Sequence, residues 1–571
     1  MSRLAIAPFD QSRYVGTVCQ VRPRSVEVNL PLASTPAGSH FAGFSVPGGQ
    51  VGEFVVIEGE DHAVLGRIIE VRLPERDRLS VEPTSEQASS PHPLGVIQLL
   101  TAMDLETGTS LRGVPIHPRI GQHVFSAHPH LIKQAVEGDN HSETSKVHLA
   151  VFPHAQNTSV SITPAHIFGR HCAVLGTTGG GKSWTLAHLV EEIDRLGGKA
   201  ILFDATGEYQ GQGESIDHVH LGGLREVPTD PRKFVSFPYS QFSETDLFAM
   251  FRPSASAQVP KLREALRSLK LAHLSPSISV DGLVRKADQS KVAFETALLQ
   301  HGSVLTEIGA DFNINLLAKQ IEEECVWLTS NRGPRMWGGA NANELGFCTT
   351  LISRISSDVA SAHLACVFQP HRLDEPLTTS IDRFLGDPTI RVLRVSMEYL
   401  PFEHNTRELV ANAVGRYLLR LARQGRFSPN PLVVLLDEAH QFLDKNIGDE
   451  FSKTPLDAFG LIAKEGRKYS LTCVLATQRP RDIPEDVLSQ MGMFIVHRLI
   501  NERDRNVVEK ACGNLDSSAA SFLPTLGQGE AIVVGVDSPI PLPVLVRAPK
   551  WPPQSRGADY DRLWTTRPAG T

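Results

Sequence analysis

The sequence predicts an α/β protein: a nucleotide-binding core of parallel strands, a β-rich domain before it, and a helical insertion within it. Two stretches and the distance between them carry this. Residues 172–196, CAVLGTTGGGKSWTLAHLVEEIDRL, run from a short apolar strand through Gly176-Thr177-Thr178-Gly179-Gly180-Gly181-Lys182-Ser183 into an amphipathic helix. This is G-x-x-x-x-G-K-[ST] in the strand–loop–helix setting that gives the pattern meaning. Residues 431–440, PLVVLLDEAH, carry five apolar residues ending in Asp437-Glu438. A strand this apolar is buried on both faces, as in a parallel sheet. About 250 residues separate Lys182 from Asp437, far more than a compact α/β core needs, so a subdomain of about 140 residues is inserted.

Composition bounds the rest. A chain of 571 residues is too long for one core, and domains of about 100–200 residues suggest three or four units. A hydrophobic fraction of 41% and a charged fraction of 21% are those of a globular protein. With a net charge of −7 the chain is not basic overall, so any nucleic-acid contact has to be local. Seven scattered cysteines without a C-x-x-C argue for reduced core residues in a cytosolic protein, not a disulfide or zinc framework. The N-terminus has no run of signal-peptide length, and no stretch approaches about 18 apolar residues, so no membrane span is expected.

Residues 1–155 form the β-rich domain. Val26, Val28 and Leu30 alternate with Ser25, Glu27 and Asn29 at the period of a half-buried strand. Further strands are expected at 53–58, 63–71, 96–102 and 123–126, punctuated by Gly and Pro as in a small barrel or sandwich. Residues 73–94, rich in Pro, Ser and Glu, are expected to form an exposed loop. No catalytic constellation occurs here, which suits a docking module. The core takes 156–242 and 388–528. Gly197-Gly198 is placed to end the helix after the glycine-rich loop, and the strand KAILFD leads into Asp204-Ala205-Thr206-Gly207-Glu208-Tyr209. Carboxylates at such a strand end can face a ligand crevice or build a turn, and both roles stay open for this stretch.

The insertion, 243–387, has helical periodicity. Ser243-Glu244-Thr245-Asp246 resembles a capping box, Leu262, Leu266 and Leu269 recur at helical spacing, and Asn315 can cap a helix over 316–328. Its loop SNRGPRMWGG sets Arg332 and Arg335 beside Trp337; such a loop can touch a nucleic-acid backbone or simply face solvent. The core resumes with a strand at 390–397, a helix over 405–424, the strand ending at Asp437, a helix over 455–468 and a strand at 471–476 that delivers Gln478; another follows at 493–499. The end, 529–571, holds two strands about a Pro-containing turn, then an extended arm with little packing of its own.

The chemistry these motifs imply is that of phosphate. Glycines let backbone N–H groups turn inward around phosphate oxygens, and the helix N-terminus adds its dipole. Lys182 can reach the β- and γ-phosphates, and the Ser183 hydroxyl can hold Mg²⁺. The expected nucleotide-binding set is Gly176, Thr177, Thr178, Gly179, Gly180, Gly181, Lys182, Ser183 and Trp184. Asp437 can hold the Mg²⁺ shell through water, Glu438 can deprotonate the attacking water, and Gln478 is placed to sense the γ-phosphate. ATP and Mg²⁺ are the cofactors expected.

GTTGGGKS, DATGEY, LLDEAHQF, EGRKYS, ATQRP and LGQGEAIVVG stand in one order, and together they resemble the HerA family of the FtsK–HerA ATPase superfamily over nearly the whole chain. The resemblance implies an N-terminal β-barrel, a RecA-like P-loop core with the helical insertion, and a C-terminal β-hairpin brace. It implies a cytoplasmic hexameric ring that moves double-stranded DNA through its pore using ATP. A partner nuclease in DNA end processing, or an effector in antiphage defence, would dock on the barrel. Lys182 and Ser183 become the phosphate and magnesium residues, Asp437 and Glu438 the second pair, and Gln478 the sensor. Arg467 in EGRK resembles the family's arginine finger, which acts on a neighbour's ATP, although a cation at a helix C-terminus looks the same. Arg170 in FGRHC sits where some members carry another arginine near the site. One departure is Asp437-Glu438, where relatives often show two glutamates. Asp437-Glu438-Ala439-His440 also matches DEAH helicases, but those need a second RecA-like domain, and this chain shows one phosphate loop. A membrane-anchored pump of FtsK type is disfavoured by the lack of spans. The alternative function is a nucleotide-gated scaffold that recruits and regulates a toxic effector, a nuclease or an NADase, with little translocation of its own.

Overall fold

Alternating apolar residues close the N-terminal strands into a barrel. In the computed structural model, Tyr14–Val21, Ser25–Asn29, Phe54–Ile57, His62–Arg72, Leu94–Asp104 and His123–Ser126 pair antiparallel, and Ser25–Asn29 closes on Leu94–Asp104. Val26, Val28, Leu30, Ile57, Ile68 and Ile97 are fully buried in its interior. Closure decides for a barrel over a sandwich and leaves no strand edge unpaired. The structure describes residues 4, 6–33, 39–41, 44–46, 48–74, 92–111, 113–137, 143–153, 155–211, 213–222, 232–305, 307–400, 405–443, 445–447, 454–513, 515, 517–536, 538–554 and 564. Most of the loop expected at 73–94 lies outside them.

The chain divides into two compact units. One comprises Met1–Glu192, Thr477–Arg481 and Leu488–Lys550. Besides the barrel it holds a sheet with strand order Ala155–Ile162, Val147–Phe152, Leu542–Val546, Glu530–Gly535, Met493–His497 and Cys172–Leu175. Cys172–Leu175 runs parallel to Met493–His497, with Leu175 opposite Val496; the other pairs are antiparallel. The C-terminal hairpin expected from the sequence is therefore built into a sheet, with Glu530–Gly535 pairing to Met493–His497.

The other unit comprises Ile193–Ala476, Asp482–Val487 and Trp551–Thr571. Its strands, in the order Leu471–Thr477, Leu432–Leu436, Lys199–Asp204, Val392–Ser396, Ile216–Leu221, Phe234–Ser236 and Glu375–Pro376, are all parallel. Lys199–Asp204 and Leu432–Leu436 are buried throughout, as a sheet covered on both faces requires. The α/β class read from the sequence is the class observed. Among the described residues no helix is long and apolar enough to cross a membrane.

The stretch read as an insertion is helical, with Glu244–Phe251, Gln258–Leu274, Val292–Leu305, Leu317–Glu324, Ala342–Ala360 and Leu377–Gly386 among its helices. The capping box forms as expected: Asp246 N donates to Ser243 Oγ, and Ser243 N to Asp246 Oδ2, both at 3.1 Å. The helix expected over 316–328 is shorter. Asn313, not Asn315, caps the turn before it, accepting from Asn315 N at 3.1 Å. Its end at Glu324 is fixed by that side chain, which turns into the core against Lys286 and accepts from Ser268 Oγ at 2.7 Å. The helix expected from residue 455 begins at Ala458, because Thr454–Leu456 is taken up in a short antiparallel pair with Lys445–Ile447. Arg332 and Arg335 are exposed, but Trp337 packs edge-on against Phe294 at 5.5 Å and under Lys286 Nζ. The aromatic of that loop is therefore part of the core, not displayed beside the arginines.

Candidate nucleotide site

The phosphate loop belongs to the first unit. Strand Cys172–Leu175 delivers the chain to Gly176, and the 14-residue helix Lys182–Arg195 receives it. Gly180 N donates to Thr177 O at 3.1 Å and Thr185 N to Gly181 O at 2.9 Å, closing the turn. Gly181 has φ +119°, where a Cβ would be strained and would also stand 3.1 Å from Gly529 Cα. At Gly176 a Cβ would fall 2.6 Å from His497 Cβ, so the end of this strand touches its neighbour through the absent side chain. Lys182 is buried, and its Nζ reaches back across the loop to Thr177 O at 3.4 Å. Ser183 is half-buried and Trp184 exposed. Thr178 Oγ1 donates to Gln478 Oε1 at 2.5 Å, which brings the expected sensor against the loop. An N–H-lined turn heading a long helix, with a lysine folded across it, fits a triphosphate, and the Ser183 hydroxyl fits its magnesium.

The second motif belongs to the other unit. Strand Leu432–Leu436 ends at buried Asp437, whose N donates to Phe203 O at 3.1 Å. Glu438 adopts φ 47°, ψ 48°. The left-handed region costs a non-glycine residue about 1–2 kcal/mol, and such strain gathers at functional sites. Its Oε2 lies 3.2 Å from His440 Nδ1.

The two arginines occupy the other ends of the strands. Arg467 is exposed on the turn Gly466–Tyr469, just before Leu471–Thr477. That strand is parallel to Leu432–Leu436, with Leu432 opposite Leu471 and Leu436 opposite Leu475. Arg467 thus stands where these strands begin and Glu438 where they end, roughly 20 Å apart at about 3.3 Å per residue. Arg170 is placed alike in its own unit. Its carbonyl accepts from Gly492 N at 2.9 Å at the start of Cys172–Leu175, and the phosphate loop leaves from the far end. Neither arginine lies on the side of its strands from which the motif residues project.

The comparison with known families agrees with this architecture. The family described as "Helicase HerA, central domain" matches residues 148–303, and "Helicase HerA-like C-terminal" matches 419–559, together just over half of the chain. The chain belongs to the HerA family of ATPases. It is 26% identical to the DNA double-strand break repair helicase HerA of Pyrococcus furiosus, over 76% of this chain and 73% of that one. It is 24% identical to a probable helicase of Methanocaldococcus jannaschii over 90% of both. Among solved structures, the bacterial conjugative coupling protein TrwB superposes with a TM-score of 0.45 at 14% identity, over 76% of this chain and 94% of that one, too distant to bear on the site.

The DATGEY stretch of this HerA-family chain had two open roles, and the structure spends its aspartate on the turn. Asp204 is fully buried and accepts from Gly207 N at 2.8 Å, Glu208 N at 3.1 Å, Tyr209 N at 3.1 Å and Arg394 Nε at 2.7 Å. Arg394, equally buried, comes from the neighbouring strand. Breaking such a pair strands a buried charge at about 3–5 kcal/mol. Arg394→Met is therefore expected to cut hydrogen-exchange protection of Lys199–Asp204 and Val392–Ser396 by about 10²–10³-fold; unchanged protection would show that Asp204 does not need its partner. The tail also packs more than expected: Gln554 N donates to Glu208 O at 2.7 Å.

Two contributors to the phosphate loop escape sequence reasoning. The Arg498 carbonyl accepts from Thr177 N at 2.9 Å and Thr177 Oγ1 at 3.0 Å, and Gly529 N donates to Gly180 O at 3.1 Å. Both act through backbone, which no side-chain pattern records. His497, beneath the loop, is a lone histidine on an apolar strand and carries no local signal.

Proposed function

We propose that this protein is an ATP-driven motor on double-stranded DNA, working as a ring of identical subunits. Lys182 and Mg²⁺ neutralise the γ-phosphate, with Ser183 and, through water, Asp437 holding the metal. Glu438 takes the proton of the attacking water, and Gln478 reports the γ-phosphate to the loop. The observation that carries the ring is the placement of Arg467 at the opening edge of the strands that end in Asp437-Glu438. A cation there is out of reach of its own chain's glutamate and is suited to a neighbour's. Arg170, at the corresponding edge of its own unit, is proposed as a second such contributor. Relatives named as DNA double-strand break repair helicases support duplex DNA as the track, and the barrel is the proposed docking face for a partner nuclease or a defence effector.

The test is ATP turnover with and without duplex DNA, alongside displacement of a DNA-bound roadblock. DNA-stimulated hydrolysis with directional displacement is expected. A strictly monomeric protein hydrolysing ATP at full rate would sink the reading. A second reading, the nucleotide-gated scaffold for a toxic effector, is favoured by the net charge of −7; hydrolysis appearing only in the effector complex, without displacement, would select it.

A further inference from the structure

The LGQGE motif has no part in the chemistry above, and neither has the histidine that ends Met493–His497. The structure joins them. His497 is fully buried, with Nδ1 2.9 Å from Glu530 O and Nε2 2.8 Å from Thr185 Oγ1. A carbonyl only accepts, so Nδ1 carries the proton and Nε2 accepts from the Thr185 hydroxyl. Burial, with the nearby Lys182 charge adding to it, holds the imidazole pKa down to about 4, so the ring is neutral. Three glycines of the phosphate loop lie against this residue: Cβ atoms at Gly176, Gly180 and Gly181 would stand 2.6, 3.5 and 3.1 Å from its atoms. Beside it, Gly529 N donates to Gly180 O.

We propose that His497 is a positioning residue for nucleotide binding, tying the first turn of the phosphate-loop helix at Thr185 to the C-terminal strand at Glu530 and so fixing the loop above it. The proposal rests on the nucleotide reading of that loop. Ordering a free backbone costs about 1–2 kcal/mol per residue, and a loop held in its binding form beforehand spares the ligand that cost. An apolar residue of similar size would fill the space but leave the Thr185 hydroxyl and the Glu530 carbonyl buried without these partners. The ring does not touch the nucleotide; it acts through the loop.

The experiment measures the Kd of a fluorescent N-methylanthraniloyl ATP with Mg²⁺ for the full chain, together with the melting temperature and kcat at saturating ATP. Thr185→Val is close to isosteric and deletes the hydrogen bond to Nε2. His497→Asn keeps a donor toward Glu530 but loses the reach to Thr185. Phe494→Leu disturbs the same strand where it faces Ala173, away from the loop. Losing one hydrogen bond of about 1 kcal/mol predicts a Kd about fivefold higher for Thr185→Val. His497→Asn is expected to raise it about tenfold or more, with kcat changed less than Kd, and Phe494→Leu to lower the melting temperature with Kd unmoved. Kd values within twofold of wild type for Thr185→Val and His497→Asn would overturn the proposal, as would Kd that merely tracks melting temperature across all three. If His497→Asn does not fold, Thr185→Val decides alone. A wild-type chain that binds no nucleotide defeats the nucleotide reading itself, which is a separate result.

Discussion

Glutamine in place of Glu438 is expected to lower the kcat of ATP hydrolysis by about 10²–10⁴-fold, the worth of one general base, while ATP affinity stays within about twofold. The amide keeps the shape and the hydrogen-bonding reach of the carboxylate but cannot take a proton from water. Turnover within threefold of wild type would remove Glu438 from the role. The backbone adds a second, opposite signature. Glu438 holds φ 47° at the end of a fully buried strand, a conformation glycine adopts freely. Glu438→Gly is therefore expected to be as inactive as the glutamine variant but more stable, by about 1–2 kcal/mol of relieved strain, seen as a raised melting temperature in calorimetry. A residue kept for packing would lose both stability and activity together. A residue kept for chemistry at a cost in stability should separate them.

What the sequence disclosed follows from how local each signal is. Gly176 to Ser183 and Asp437-Glu438 are contiguous, so strand end, loop and side chains are written side by side. Continuous apolar runs marked Lys199–Asp204 and Leu432–Leu436 nearly to the residue, because both faces of a parallel strand are buried. The losses have equally physical causes. Helix ends depended on tertiary partners: Glu324 stops its helix by turning toward Lys286, and Thr454–Leu456 pairs with a strand that propensity does not reveal. The double role left open for DATGEY turned on Arg394, 190 residues away in sequence. His497 illustrates the limit: its importance lies in Thr185 and Glu530, 312 and 33 residues distant, and only the assembled sheet brings them together.

Arg467→Ala is expected to reduce ATP turnover by about 10³–10⁵-fold, the range for an arginine supplied to a phosphoryl-transfer transition state. Magnitude alone does not separate a finger acting in trans from a cation needed by its own chain; mixing does. In the proposed ring each pocket takes Glu438 from one chain and Arg467 from the next. The variants Glu438→Gln and Arg467→Ala are each expected to be inactive alone. Mixed one to one and reassembled, about a quarter of the interfaces regain both groups, because the chain lacking the arginine keeps its glutamate and its neighbour can supply the cation. Turnover should then rise well above either parent. If Arg467 served its own chain, no mixed interface would be complete, and turnover would stay at the mean of the two variants. The strand register makes the first outcome the expected one. Arg467 and Glu438 sit at opposite ends of paired parallel strands, and an arginine side chain spans well under half of the roughly 20 Å between them.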